Sequence, residues 1–301
     1  DNRSPNSELD KIDPNLLVSA YFGEVLAGHI NWSGGNETVN YYIYDSSSSL
    51  DIDVWNYAGT SQTATYTATT LSHENDSESF IRNIFTTLDP LIDIDFQEVY
   101  SFADSDLDII SVSDYSYWSE GVVGMVENGA DEWNVLWKNT HIGGPLSDND
   151  KNTIVHEIGH ALGLPHNMKA SSAYPVDSLR SGNFTQKFGI ATTIMDYARY
   201  NYIAQPGDKN IRFVRQLGPY DNYSIEWGYR YFPMETSETE KVFLKDFVDK
   251  KSLNPVFMYG TSGIDPNVQT ENIGDNPVKA SNYGIKNLKI VVVLYKLKYH
   301  C

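Results

Sequence analysis

The chain reads HEIGHALGLPH from residue 156 to residue 166, and this stretch predicts a metal site. On a helix, His156 and His160 lie four residues apart, so both rings fall on one face and can reach one ion. Gly163 can end the helix in a left-handed conformation that other residues resist. The turn then brings back His166 as a third ligand. Three imidazoles leave a fourth position open for water, which is the layout of a catalytic zinc site.

Glu157 directly follows the first histidine and is predicted to face the metal-bound water. The alternative is a helix with solvated histidines, but the glycine and the third histidine at these spacings favour the metal site. The full pattern, HExxHxxGxxH, resembles that of the metzincin metalloproteases. The resemblance implies one catalytic Zn²⁺ and a protein or peptide substrate.

Composition bounds the class of protein. The 301 residues suffice for one large domain or two ordinary ones, and 41% of them are apolar. With 40 acidic and 22 basic residues the formal charge is −18, which disfavours nucleic acid and anionic membrane surfaces as partners. The single cysteine, Cys301, rules out an internal disulfide framework.

Targeting signals are weak. A run of about 18 apolar residues, as a transmembrane helix requires, does not occur in the sequence. Residues 1–15 read as a disordered polar lead without the apolar region of a signal peptide. We therefore expect a signal peptide to be absent or already removed.

Two long helices are predicted in the first half. Residues 77–88 carry an apolar stripe at helical spacing, with Ser77 or Ser79 as the N-cap. The second helix begins at Ser147 or Asp148, contains the metal motif, and has a predicted buried face of Ile154, Val155, Ile158 and Leu162. A short helix is also expected at 16–28.

Strands are predicted from β-branched and alternating segments. Residues 45–72 are interpreted as a long polar excursion, with a hairpin near 51–57. Strands followed by helices indicate an α/β (α+β) layer order. The predicted strands are 38–44, 94–100, 107–112, 121–126 and 133–137.

This first half resembles the serralysin branch of the metzincins. The matching features are Trp32-Ser33-Gly34-Gly35, the helix at 77–88, the buried strand at 107–112, the glycine-flanked strand and the Trp-rich strand before the metal helix. The resemblance implies a twisted mixed sheet whose antiparallel edge, the strand at 121–126, lines the cleft. Such an edge can pair with an extended peptide, although an ordinary sheet strand fits the sequence equally well.

The second half resembles the metzincin-type region of large bacterial proteins. The matching segments are Pro165-His166-Asn167 through Leu179-Arg180-Ser181, 194–199, 204–208, 225–229 and 279–288. Asn167 stands where serralysins usually carry proline. We interpret the chain as combining two metzincin branches, with a recombined, engineered or mis-assembled chain as the hypothesis.

Met195 lies about thirty residues past the third histidine, in Ile194-Met195-Asp196-Tyr197. The resemblance implies that Met195 forms the Met-turn, an apolar floor under the metal. It also implies that Tyr197 approaches the zinc and stabilises the oxyanion, as a phenol donor can. The alternatives are a core methionine and an exposed tyrosine.

The chain after the Met-turn carries further element predictions. A short helix is expected at 221–228, capped by Asp221, and a second at 236–250 with Val242, Phe243, Phe247 and Val248 on one side. Residues 254–278 are expected to be irregular, and 290–295 to form an apolar strand. We predict a catalytic domain at 16–232, divided into 16–163 and 164–232, and a truncated extension at 233–301.

Other candidate sites are less specific. The acidic clusters Asp89/Asp93/Asp95 and Asp104/Asp106/Asp108 can bind Ca²⁺, but such alternation more often forms a solvated face. His29, His73, His141 and His300 lack ligand spacing. Sequons matter only in a eukaryotic secretory host, and stand at Asn31, Asn36, Asn75, Asn183 and Asn222.

The sequence thus predicts a monomeric zinc endopeptidase in which Glu157 activates the water. The family resemblance implies a secreted bacterial protein, in the extracellular space or cell envelope. Two alternatives are a non-catalytic zinc-containing surface binding module and an inactive assembly of mismatched halves. A binding module has no need of Glu157, which is present.

Overall fold

The computed structural model describes residues 38–56, 61–92, 94–129, 132–140, 142, 144–198, 200–230, 233, 236–261 and 264–299. They divide into two compact units. Residues 38–164 and 228–230 form the sheet unit, and 165–227 with the described residues from 233 onward form the helical unit. The lead at 1–15, the helix at 16–28 and the turn at 32–35 lie outside the described residues.

Among the described residues, one mixed sheet dominates the sheet unit, and its strands are β1 (Thr38–Tyr44), β2 (Ser49–Trp55), β3 (Gln62–Thr70), β4 (Asp95–Val99), β5 (Leu107–Tyr115), β6 (Gly124–Asn128) and β7 (Trp133–Lys138). The parallel strands lie in the order β4, β1, β5, β7. β6 pairs antiparallel with β7 at the edge. β3 pairs antiparallel with the far end of β5 and carries β2. The predicted mixed α/β class is confirmed.

The interpretation of 45–72 is only partly correct. A hairpin is present, as expected near 51–57, but it is longer, because β2 and β3 pair antiparallel over most of this segment. Aspartates alternate with apolar residues along β2, and threonines alternate with alanine and tyrosine along β3. Ile52 and Ala68 face a buried cluster of the sheet. On the other face Thr67 Oγ1 donates to Asp51 Oδ1 at 2.8 Å. Strands rich in threonine and aspartate are less apolar than usual, and for this reason the sequence underestimated the length of the hairpin.

Two helices of the sheet unit, α1 (Asn75–Leu88) and α2 (Asp148–Ala161), agree with the predicted ones. On α1, Phe85 stacks on Tyr41 of β1 with ring centroids 4.0 Å apart. The predicted N-cap is wrong, because α1 begins earlier, after Glu74. Ser77 is buried inside the first turn, and its hydroxyl donates to the Glu74 carbonyl at 2.8 Å.

After residue 165 the described helices are α3 (Gly182–Phe188), α4 (Pro219–Tyr229), α5 (Ser237–Lys251) and α6 (Pro277–Tyr299). α4 starts two residues before Asp221, so Asp221 lies in its first turn and is not the N-cap. On α5 the predicted apolar side is only partly correct. Val248 is buried, but Val242 is 71% exposed. The core of the helical unit contains Leu179, Ile190, Ala191, Ile203, Ile273 and Ala280.

The strand predicted at 290–295 is wrong, since these residues continue α6. β-branched residues favour strands chiefly when they can pack in a sheet. In the described part of the helical unit there is no strand to pair with. A helix instead satisfies the backbone groups internally, although side chains from Ile290 to Tyr295 stay 41–62% exposed. Of the helices described, none has the length and apolar character needed to cross a membrane.

Asp108 on β5 is fully buried. Within the described chain neither of its carboxyl oxygens has a hydrogen bond of good geometry. Burial, with repulsion from Glu132 and Asp106, raises the pKa of Asp108 to about 7, and the Ser105 hydroxyl offsets only part of this effect. Asp106 accepts the Asn40 N–H and Asp93 lies outside the described residues. Calcium binding by the two acidic clusters stays a prediction.

Replacing Asp108 by asparagine should change how stability depends on pH. The folded pKa lies above the ordinary value of 3.8, so the folded state holds a proton that the unfolded chain releases. Wild-type stability should therefore fall as pH rises from about 4 through about 7. Asp108→Asn should gain roughly 2–3 kcal/mol on wild type between pH 5 and pH 8, at about 1.36 kcal/mol per pKa unit. Urea unfolding at both pH values measures this difference.

The matched control is Asp114→Asn, an exposed position on the same strand, which should show no such pH dependence. An unfolding difference for Asp108→Asn that is equal at the two pH values would contradict a buried carboxyl with a raised pKa. Repeating the series with added calcium shows whether a cation neutralises Asp108.

Candidate metal centre

Helix α2 begins with a capping box. The Asp150 N–H donates to Ser147 Oγ at 3.2 Å, and the Ser147 N–H donates to Asp150 Oδ2 at 3.0 Å. Such a reciprocal pair satisfies two backbone donors that the first turn leaves without partners. Ser147 is thus confirmed as the cap. Of the predicted buried face, Ile154, Ile158 and Leu162 are buried, whereas Val155 is only half-buried.

The end of α2 has the predicted glycine turn. Gly163 has φ of +79°, in the left-handed region. Its N–H donates to the His160 carbonyl at 2.8 Å, and the Leu164 N–H donates to the Gly159 carbonyl at 2.9 Å. This pair of bonds is the Schellman motif. The Tyr229 hydroxyl donates to the Leu162 carbonyl at 2.6 Å, which holds the same end of the helix.

His156, His160 and His166 come together. One ring nitrogen from each lies within 4.8 Å of the others, which is close enough for one ion to bind all three. The rings of His156 and His160 lie edge to face, with centroids 4.7 Å apart. His156 is buried, and the other two are half-buried. Nitrogen ligands in this number fit zinc, which takes imidazole readily.

His160 is held in the tautomer that a metal needs. Its Nδ1 lies 2.9 Å from the Leu164 carbonyl oxygen. A carbonyl only accepts, so Nδ1 carries the hydrogen and the lone pair is on Nε2. Burial lowers the pKa of His160, against the opposing effect of this hydrogen bond. The lowered pKa favours the neutral ring, which is the form that can act as a ligand.

Glu157 is buried beside the edge strand β6. A Cβ atom added at Gly124 would lie 2.4 Å from Glu157 Oε1 and 2.7 Å from Thr153 Cγ2. Only glycine leaves room for the carboxylate at this place. A glycine inside a strand is a general sign of close approach, but the sequence did not indicate which group approaches Gly124.

Met195 and Tyr197 lie next to the third histidine within the helical unit. The Asn167 N–H donates to the Met195 carbonyl at 3.1 Å. The rings of His166 and Tyr197 have centroids 4.4 Å apart. Met195 is buried, whereas Tyr197 is half-buried. The tyrosine is thus close to where the third ligand would hold the ion.

Two buried carboxylates and an arginine fix the backbone around Met195. Asp221 accepts from the Thr193 hydroxyl and from the Ile194 N–H, and Arg215 donates to the Ile194 carbonyl at 2.7 Å. Asp196 accepts from the N–H groups of Ser171 and Ala198, both at 2.7 Å. Burial raises the pKa of each of these aspartates to about 6. The sequence did not predict these roles.

Among the remaining histidines the structure describes only His73, which does not join the cluster. His73 is buried, its ring 5.8 Å from that of Trp137. Burial lowers the pKa of His73 to about 4, as for a core histidine. His29, His141 and His300 lie outside the described residues. Among the described residues, the three histidines of the motif are the one group of three or more His, Cys, Asp or Glu side chains that lie close enough to hold a metal ion.

A mixed sheet with several helices, a capped helix with two histidines, and a third histidine after a glycine turn are the features of a metzincin-like domain. Residues 151–299 match the model of a family described as Met-zincin. The predicted resemblance is therefore confirmed over that part of the chain, and it supports a zinc metallopeptidase-like domain. A search of curated proteins finds no match. The serralysin resemblance of the first half stays a prediction.

Removing one histidine should abolish tight zinc binding. Wild type should take up one Zn²⁺ per chain, and His166→Ala should weaken its binding more than ~100-fold, beyond the range seen when only a partner of a ligand is lost. Competition with a chromophoric chelator measures the dissociation constant.

His73→Ala removes a buried histidine outside the cluster and should leave zinc affinity unchanged. If both variants bind zinc like wild type, the three-histidine site is wrong.

Proposed function

We propose that the protein is a zinc-dependent endopeptidase that hydrolyses peptide bonds with Glu157 as its general base. One observation carries this proposal: three histidines able to share one ion stand beside a carboxylate at the adjacent residue. The match to the Met-zincin family supports it. A site that only stored metal would need the histidines without this carboxylate.

His156, His160 and His166 would hold the zinc. Three neutral nitrogen donors are the ligand set of a catalytic rather than a closed structural site, because the fourth position is left for water. When bound, zinc supplies Lewis-acid polarisation of the scissile carbonyl and lowers the pKa of its water toward ~7.

Glu157 would move the proton. Its carboxylate accepts a proton from the attacking water and later donates it to the leaving amine nitrogen. The position beside Gly124 supports this role, because the carboxylate is confined between α2 and β6. Confinement reduces the number of orientations that the carboxylate samples, and this lowers the entropy lost at the reaction.

Tyr197 would stabilise the oxyanion. Its phenol can donate a hydrogen bond to the oxygen that gains negative charge when water adds to the carbonyl. Donors placed at such an oxygen typically contribute 10²–10³ in rate. Contact of the Tyr197 ring with the His166 ring supports this assignment, and Met195 would form the apolar floor beneath.

β6 would bind the substrate main chain. In the described sheet β6 pairs on one side only, with β7. An extended peptide can add to such an edge through main-chain hydrogen bonds. Because Glu157 lies against Gly124 at the start of β6, a peptide on this edge would pass near the general base.

Changing the general base should separate zinc binding from cleavage. Glu157→Gln and Glu157→Ala should retain one Zn²⁺ per chain, since the histidines are unchanged. Both should lose at least ~10²-fold in kcat, the lower end of the usual contribution from a general base. Casein or quenched-peptide cleavage, with and without a chelator, measures this.

Asp148→Asn changes a carboxylate at the far end of the same helix and serves as the control, with cleavage expected near wild type. Wild-type cleavage by Glu157→Gln would refute the assigned role. Zinc binding without any cleavage by the wild-type protein would refute the proposed function.

A methyl group at Gly124 should displace the same carboxylate. Gly124→Ala places a Cβ within 2.4 Å of Glu157 Oε1, so the carboxylate must move. A shift of about 1 Å in a catalytic group can cost ~10²-fold in rate, and we expect a loss of this order in kcat with unchanged zinc affinity.

Asp114→Ala, an exposed position on β5 and outside the strand proposed to bind substrate, is the control and should keep wild-type activity. Full activity in Gly124→Ala would mean that Glu157 does not act from the position next to β6.

A further inference from the structure

Asn167, the residue after the third histidine, is fully buried. Its backbone N–H donates to the Met195 carbonyl at 3.1 Å. Its side-chain Nδ2 donates to the Met258 carbonyl at 3.0 Å. Its Oδ1 accepts from the N–H groups of Gly260 at 3.0 Å and Lys169 at 3.3 Å. One residue thus connects His166 to the Met195 segment and to a segment about ninety positions later in the chain.

This hydrogen-bonding pattern requires an asparagine. Proline, which serralysins usually carry at this place, has neither the N–H that reaches Met195 nor a polar side chain. Aspartate keeps the acceptor but replaces the donor that meets the Met258 carbonyl with a second oxygen. A buried carbonyl that loses its donor costs about 1–3 kcal/mol.

Further bonds continue the contact along residues 167–176. The Lys169 N–H donates to the Gly260 carbonyl at 3.1 Å, and the Lys169 ammonium pairs with Asp265. The Gly274 N–H donates to the Ser171 carbonyl at 2.7 Å. The described residues 258–261 and 264–275 therefore contact the chain that follows the third histidine; we name them the strap.

The strap also packs tightly at Gly260. A Cβ added there would lie 2.9 Å from Val268 Cγ2 and 3.3 Å from the Lys169 Cβ. A methyl group at residue 260 would displace Val268 within the strap and press on Lys169, which disturbs the backbone whose N–H binds Asn167.

We propose that Asn167 is a positioning residue for the third metal ligand, and that the strap is part of the metal centre although it lies beyond the predicted catalytic domain. The inference rests on the proposed assignment of His166 as a zinc ligand. Asn167 does not touch the ion. Its bonds to Met195 and to the strap fix the backbone next to His166, so that the histidine ring is in place before the metal binds. If these bonds are lost, zinc binding must also order this segment, and the affinity for zinc falls.

The test compares zinc affinity in two buried-asparagine variants of the full chain. Asn201 is also buried, and its Nδ2 donates to the Leu179 carbonyl at 2.7 Å, so Asn201→Ala removes a similar bond in the same unit away from His166. Asn167→Ala should weaken Zn²⁺ binding ~10–100-fold, the range for partners that orient a ligand. Asn201→Ala should stay within about 3-fold of wild type. Chelator competition is run well below both melting temperatures, and the visible spectrum of the Co²⁺-loaded protein reports ligand geometry.

Gly260→Ala provides a second arm that leaves Asn167 itself unchanged. It should also weaken zinc binding. If Asn167→Ala does not fold, Gly260→Ala alone tests whether the strap supports the third metal ligand. Unchanged zinc affinity in the folded variants, or an equal loss in Asn201→Ala, would overturn the proposal. Because affinity is measured without substrate, this result is independent of whether the wild-type protein cleaves peptides.

Discussion

The left-handed turn at Gly163 is the constraint on which the metal centre depends. Two histidines one helical turn apart can supply two ligands from a rigid element, but a helix cannot bring a third ring to the same ion from residue 166 unless it stops. A positive φ at Gly163 stops it, and the Schellman bonds satisfy the carbonyls of His160 and Gly159 that the ending leaves free. The same turn brings the Leu164 carbonyl to His160 Nδ1. One conformational event therefore ends the helix, reverses the chain and sets the tautomer of a ligand.

The rest of the centre uses buried polar groups instead of regular structure. Ile194 to Ala198 have no helix or strand to fix their backbone. Asp221 and Asp196 replace it by accepting N–H groups of the segment, while Arg215 donates to its carbonyl oxygens. Burial of a carboxylate is costly, and the raised pKa of both aspartates reflects that cost. The hydrogen bonds that each anion accepts favour its charged form, so at neutral pH the loop is held by charge-assisted bonds.

The sequence predicted the features that neighbouring residues determine. It missed the contacts between residues that lie far apart in the chain. The Ser147 cap, the Gly163 turn and the strands β1, β5 and β7 follow from neighbouring residues, and each was predicted. The segment 290–295 has strand preference, but the described helical unit offers it no strand to pair with, so it became helix. Asp221 looked like a helix cap because helix starts favour aspartate. Its actual partner Ile194 lies 27 residues earlier, a distance that no local pattern reports. The approach of Gly124 to Glu157 was hidden for the same reason.

Asparagine at residue 167 illustrates a choice between two ways of holding a loop. Proline limits the unfolded chain and so stabilises a loop from within its own sequence. Asparagine does not restrict the unfolded chain in this way. It acts through hydrogen bonds in the folded state, and three of these connect residue 167 to the distant residues Met195, Met258 and Gly260. Its stabilising effect therefore exists only when residues 258–260 are in place. Metal affinity that depends on such a contact is coupled to folding of a distant part of the chain, because any ion that binds the folded state preferentially also stabilises it. Zinc and the strap should therefore stabilise one another. Each orders the segment after His166, and this reduces the loss of conformational entropy when the other binds.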